Sequence, residues 1–197
     1  LPYSEATDRL LRQLALGGLG GDDIVLAIPY DELVTTTAGW DAFTEGVRLH
    51  NTVIQVAEVL SAAAPGLEFA AASEAVYREI AVRLLGGTPL DLSNQDEITD
   101  LALAAAVRTG AGLSGDKAAT AGNVIAAGNA LVDTVERTDD PVGANQVVAV
   151  QGTAQSEVAD ALSQWISGGL TDAQLVSRYT GSALQVVVEA SSFPGFK

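Results

Sequence analysis

From Ala38 to Ala64 the sequence reads AGWDAFTEGVRLHNTVIQVAEVLSAAA, with no proline until the APG that closes it. A stretch of this length, free of breakers and rich in good helix formers, folds as one long helix and sets the span of whatever surrounds it. At 100° per residue, Phe43, Val47, Leu49, Val53, Ile54, Val56, Ala57 and Leu60 cover an apolar arc of about 180°. Asp41, Glu45, Arg48, Asn51, Thr52, Gln55 and Glu58 occupy the opposite arc. His50, the only histidine, falls inside the apolar arc. Its neighbours one turn away, Gly46, Val47, Val53 and Ile54, offer it no hydrogen bond, so the reading is a buried imidazole whose partner comes from another helix or a backbone carbonyl. Gly46, one turn earlier, leaves room for a close approach.

The rest of the chain is punctuated in the same way. Ser4 caps EATDRLLRQLAL, which GGLGG stops. A loop with Asp22 and Asp23 leads into IVLAI, a buried connector, and Pro29 opens PYDELVTT. After the long helix, a further one ends at Gly86 and Gly87, with Glu74–Arg78 and Glu79–Arg83 as surface pairs. Ser93 caps NQDEITDLALAAAVRT, with Asp96 placed for a capping-box contact. GAGLSGD turns the chain into a helix from about Asp116 to Arg137, where Gly128 lies on an apolar face with Val124, Leu131, Val132 and Val135 and marks a close crossing. Asp140 and Pro141 open another long helix reaching about Ser167. Thr171 and Gln174 form a capping box, Thr180 caps GSALQVVVEAS, and FPGFK is irregular. LQVVVEA is the one β-branched run, with a strand as its minority reading. The expected fold is all-α: one domain over residues 1–197, a bundle of about seven or eight helices with two long central ones.

Two amides break the pattern of the helix after Pro141. Its apolar face comprises Val147, Val150, Ala154, Val158, Ala161, Leu162 and Trp165, and Gln151 and Gln155 fall within the same arc. A buried amide without partners costs about 1–3 kcal/mol, so both should be paired. The structural account is a small buried network joining His50 to one or both glutamines or to a carbonyl. The functional account is a ligand cavity between helices, with His50, Gln151 and Gln155 as its polar lining.

Composition narrows the chemistry. The chain has 25 acidic against 10 basic residues, a formal net charge of −15, which disfavours phosphate backbones and anionic lipid. There is no cysteine, so disulfides and thiolate metal sites are excluded, and one histidine excludes a paired-histidine metal site. The sequence lacks a P-loop, a dinucleotide fingerprint, a nucleophile elbow and an EF-hand loop. Asp22–Asp23 and Asp139–Asp140 sit beside helix starts, where negative charge offsets the helix dipole. Asp22 and Asp23 remain a candidate surface Ca²⁺ site, with no other cofactor expected. No apolar run approaches the length of a spanning helix, so the chain reads as soluble. With no methionine at all, it also reads as processed or excised from a longer polypeptide.

The stretches GGDDIVLAIPYDEL, LHNTVIQVAEVLSAA and QSEVADALSQWISGGLTDAQLVSRYTGSALQVVVEAS resemble alanine-rich helical regions of very large exported bacterial proteins, the RTX-like and cadherin-repeat-bearing surface or secreted proteins. The resemblance implies an extracellular bacterial module in a calcium-rich setting. Tandem Gly-Gly-x-Gly-x-Asp repeats are not present, so it assigns calcium to no residue and gives no catalytic one. Two functions follow as expectations. One is a non-enzymatic module for structure, adhesion or assembly, working through a protein partner or self-association. The alternative is a helical carrier of a small apolar ligand or pigment held between helices.

Overall fold

The computed structural model describes residues 36–87, 90–138 and 142–191, and these fold into helices joined by short turns, with no strand among them. Helix α1 is Thr37–Ala63, α2 Phe69–Leu85, α3 Gln95–Thr109 and α4 Gly115–Asp133. Helix α5 runs as Val142–Thr153, a π-helical turn Ala154–Val158, and Ala159–Ile166, followed by α6, Asp172–Tyr179, and α7, Gly181–Ser191. The all-α multi-helix bundle expected from the sequence is what forms, and LQVVVEA is helical within α7. The Ser4 and Pro29 helices, IVLAI, Asp22–Asp23, the Asp139–Pro141 cap and the FPGFK tail lie outside the described residues.

Local chemistry explains the boundaries. The Thr36 hydroxyl accepts the Gly39 amide at the start of α1, and Ser114 accepts the Lys117 amide at the start of α4. Thr171 and Gln174 form the anticipated capping box. The cap of α3 is Asn94 rather than Ser93: its side chain accepts from the amides of Asp96 and Glu97, while the Ser93 hydroxyl turns to Asp133. Gly110 ends α3 at φ 72°, in the left-handed region where glycine is unstrained.

α1 is the axis of the bundle. It packs against α2, α3, α4 and, most extensively, all three segments of α5, while α3 and α4 form a second extensive pair. Val53, Val56, Ala57, Val59 and Leu60 are buried with Ala72, Val76, Ile98, Leu101, Ile125 and Leu162 in one continuous core. The anticipated apolar face of α5, from Val147 to Trp165, is buried as a set. Small side chains let these helices sit close together, and the tightest point is at Gly122. A Cβ there would collide with the Thr99 hydroxyl and lie 2.8 Å from the Gln95 carbonyl oxygen. Gly128, expected at a close crossing, has nothing within 4 Å of where its Cβ would be, and the same holds for Gly46.

Candidate functional site

The side of α1 expected to face water is its most interesting face. Asn51, Thr52 and Gln55 are 0%, 0% and 1% exposed, and Thr44 and Glu45 are buried too. His50, expected inside, is exposed. Central position is the reason: α4 and α5 cover the arc that amphipathicity assigned to solvent. A helix surrounded on most sides has no fully wet face.

Two polar clusters tie this face to its neighbours. Towards α4, Asn129 is fully buried and its Nδ2 donates to Thr52 Oγ1 at 2.8 Å and to the Leu92 carbonyl at 2.7 Å. One amide therefore joins α1, α4 and the α2–α3 connection. Thr52 Oγ1 in turn donates to the Arg48 carbonyl at 2.9 Å. One turn back, the Arg48 guanidinium bridges Glu45 and Asp133, and Asp133 also accepts the Ser93 hydroxyl at 2.8 Å. Burial pushes the Glu45 carboxyl above its ordinary range, opposed by the Arg48 charge beside it.

Towards α5, Gln55 Nε2 donates to the Ala154 carbonyl at 2.9 Å, and Gln155 Nε2 donates to Asn51 Oδ1 at 3.2 Å. Ala154 opens the π turn, whose wider winding sends the Ala159 amide five residues back to the same carbonyl. That carbonyl thus accepts a backbone and a side-chain bond together. π turns are rare and concentrate at functional sites, and here the turn is met by a side chain from the central helix.

The structure separates the residues that the sequence grouped. Gln155 is half-buried and paired, but to Asn51 rather than His50. Gln151 is half-buried, and neither it nor His50 has a hydrogen-bond partner among the described residues. The larger aliphatic residues of α1 centre on the side that carries His50, whereas the centre of burial lies towards Asn51, Thr52 and Gln55.

Asn51, Thr52, Gln55 and Asn129 were missed as interior groups. A signal for them exists. On α1 the polar arc is charged at its ends, at Asp41, Glu45 and Glu58, but carries only amides and a hydroxyl at its centre, at Asn51, Thr52 and Gln55. An exposed helix face has no reason to avoid charge there. Asn129 stands four residues after Ile125 and three before Val132, inside an otherwise apolar row.

Four atoms of this seam, Arg48 Nε, Asn51 Nδ2, Gln55 Oε1 and Asn129 Oδ1, are buried without a hydrogen-bond partner among the described residues. Elsewhere, a polar cleft between α5 and α6 holds Glu157, which accepts from Arg178 at 2.6 Å and from the Tyr179 hydroxyl at 3.2 Å. Burial, then the Glu157 charge, raises the Tyr179 phenol above its ordinary pKa. Among the described residues no group of three or more carboxylate or histidine side chains is placed to hold a metal ion, and no helix is long and apolar enough to cross a membrane.

Together these features define a helical bundle organised around a buried polar seam. No protein-family model matches the chain, and searches of curated proteins and of solved structures give no match.

Proposed function

We propose that the chain is a non-enzymatic module for structure, adhesion or assembly, acting outside the cell as part of a bacterial surface or secreted protein. The observation that carries this reading is what the buried polar side chains bond to. Asn129, Gln55 and Gln155 reach the backbone or side chains of other helices, so they act as ties between elements. Bonds that run from one helix to another in this way fix the relative placement of the helices. The acidic charge of −15 and the missing catalytic motifs support the same assignment.

The helical carrier remains a second reading, favoured by Gln151, which lies half-buried at the edge of the α5 core face with no side-chain hydrogen bond among the described residues. Native mass spectrometry of protein purified from its source separates the two. The module reading expects the bare chain mass, alone or with protein partners. A co-purifying apolar small molecule, released on denaturation, would replace it with the carrier.

A further inference from the structure

The inner face of α2, Ala72, Ala75, Val76, Ile80 and Leu84, is buried in the core. Its outer face is unusually apolar. Phe69 is 40% exposed and Tyr77 48%, with Val82 and Leu85 exposed more than half. Ala70, Ser73, Tyr77 and Ala81 form a shallow strip, with Glu74 and Arg78 beside them. The outward positions 70, 74, 77 and 81 follow the four-three-four spacing of a helix-pairing seam. On this seam Tyr77 stands between the small residues Ala70, Ser73 and Ala81, so the strip is a shallow apolar surface with Glu74 and Arg78 at its edge.

We propose that this strip pairs two copies of the chain, α2 against α2, antiparallel about a two-fold axis. The proposal rests on the assembly reading above and names its partner. Charge placement decides for a second copy. Glu74 and Arg78 form an exposed pair along one helix at 2.6 Å. Place the axis level with the Ala75–Val76 peptide bond, and Ala70 lies opposite Ala81. Glu74 then comes beside the second copy's Tyr77 and Arg78, and symmetry repeats the contact, so that each strip supplies what the other lacks. The small side chains at Ala70, Ser73 and Ala81 permit close approach of the helix axes. One helix from each copy buries about 1,000 Å² in total, at the low end for specific contacts, and gives a reversible dimer with a dissociation constant on the order of 100 μM.

The test is sedimentation equilibrium of the full chain up to about 1 mM, at about 0.15 M salt, where a Debye length of about 8 Å screens the repulsion between two acidic copies. The wild type should move from the 20.1 kDa monomer towards the dimer as concentration rises. Glu74→Arg and Arg78→Glu should each weaken association at least ten-fold, since either variant brings like charges together across the axis. Mixed in equal amounts, the two variants should associate again, because opposite charges then meet only between unlike copies. Circular dichroism melts should show both folded, as both side chains are more than 60% exposed. A wild type that stays monomeric throughout, single variants that associate like the wild type, or a mixture that fails to recover would each overturn the proposal. A monomer whose Tyr77 is shielded from iodination by residues 1–35 would also overturn it, with the chain's own segment as occupant. A monomer that nevertheless co-purifies with a different protein removes the second copy and leaves the assembly reading standing.

Discussion

The same substitution made twice in α4 should have opposite effects. Replacing a helix-interior glycine by alanine stabilises by about 0.8–1 kcal/mol, because alanine gives up less backbone freedom on folding. At Gly128 nothing lies within 4 Å of the added methyl, so Gly128→Ala should keep most of that gain. At Gly122 the methyl would collide with Thr99 Oγ1 and stand 2.8 Å from the Gln95 carbonyl oxygen and 3.2 Å from the Thr99 amide nitrogen. The hydroxyl has little freedom to yield, since it donates to that same carbonyl at 2.8 Å, and the backbone of α3 has less. Overpacking costs about 1–3 kcal/mol, and against backbone that cannot yield the upper part of that range applies, about 2–3 kcal/mol, which exceeds the propensity gain and leaves Gly122→Ala about 1–2 kcal/mol less stable than wild type. The two variants should therefore differ by about 2–3 kcal/mol, or about 4–12 °C in melting temperature at this chain length. Thermal and urea melts followed by circular dichroism at 222 nm measure it directly. If Gly122→Ala melts at or above the wild type, or Gly128→Ala melts below Gly122→Ala, the account of the α3–α4 crossing is wrong.

Other outcomes follow from the seam and its surroundings. Asn129→Leu should destabilise by about 2–4 kcal/mol in urea titration, since it removes the donor to Thr52 and leaves the buried Leu92 carbonyl unpaired; a loss below 0.5 kcal/mol would deny the amide its tying role. Glu58, half-buried and beside Asp160, has its carboxyl raised above 4.5 by burial and then by that neighbouring charge. The folded chain therefore holds this proton more tightly than the unfolded one, so the contribution is favourable below about pH 4.5 and is lost as pH rises through the raised value. Glu58→Gln should flatten that decline and raise the urea midpoint at pH 7, and an unchanged pH profile would refute the assignment. Asp172→Ala should cost about 1.5–3 kcal/mol, because the buried Trp165 indole donates to this carboxylate at 2.6 Å; urea melts measure it, and a shift of the Trp165 fluorescence should accompany the loss.

Much of the fold was legible because helices announce their ends. Thr171 with Gln174, the glycines after α2 and α3, and the β-branched but helical α7 needed only local rules. Local rules also placed the α5 core face from Val147 to Trp165, because that helix has one side inside and one outside. They failed on α1, where tertiary context decides which arc is wet. Periodicity locates a core only for a helix with a single covered side, and α1 is covered on several. Side-chain partners are likewise set by the third dimension. Spacing along α2 predicts a Glu79–Arg83 pair, yet Glu79 meets Arg108 of α3 at 2.5 Å, and Arg83 reaches the Glu97 carbonyl instead. The π turn left no trace in the apolar pattern, which continues across it, and neither did the choice between Gly122 and Gly128. That choice depends on which glycine the α3 backbone happens to face.

The seam along α1 has a consequence for how many ways this bundle can close. Alanine and valine present a smooth surface, and a helix dressed in them finds a nearly equivalent seating one turn, about 5.4 Å, along its axis. At such a seating the apolar contacts would largely survive, but Asn129 would lose Thr52, and Gln55 would lose the Ala154 carbonyl. The ties approach α1 from two directions, so neither a slide nor a rotation preserves both. A continuum of near-miss packings is thereby turned into a single permitted depth and angle, and what would otherwise be a slippery, fluid interior becomes one with a single answer.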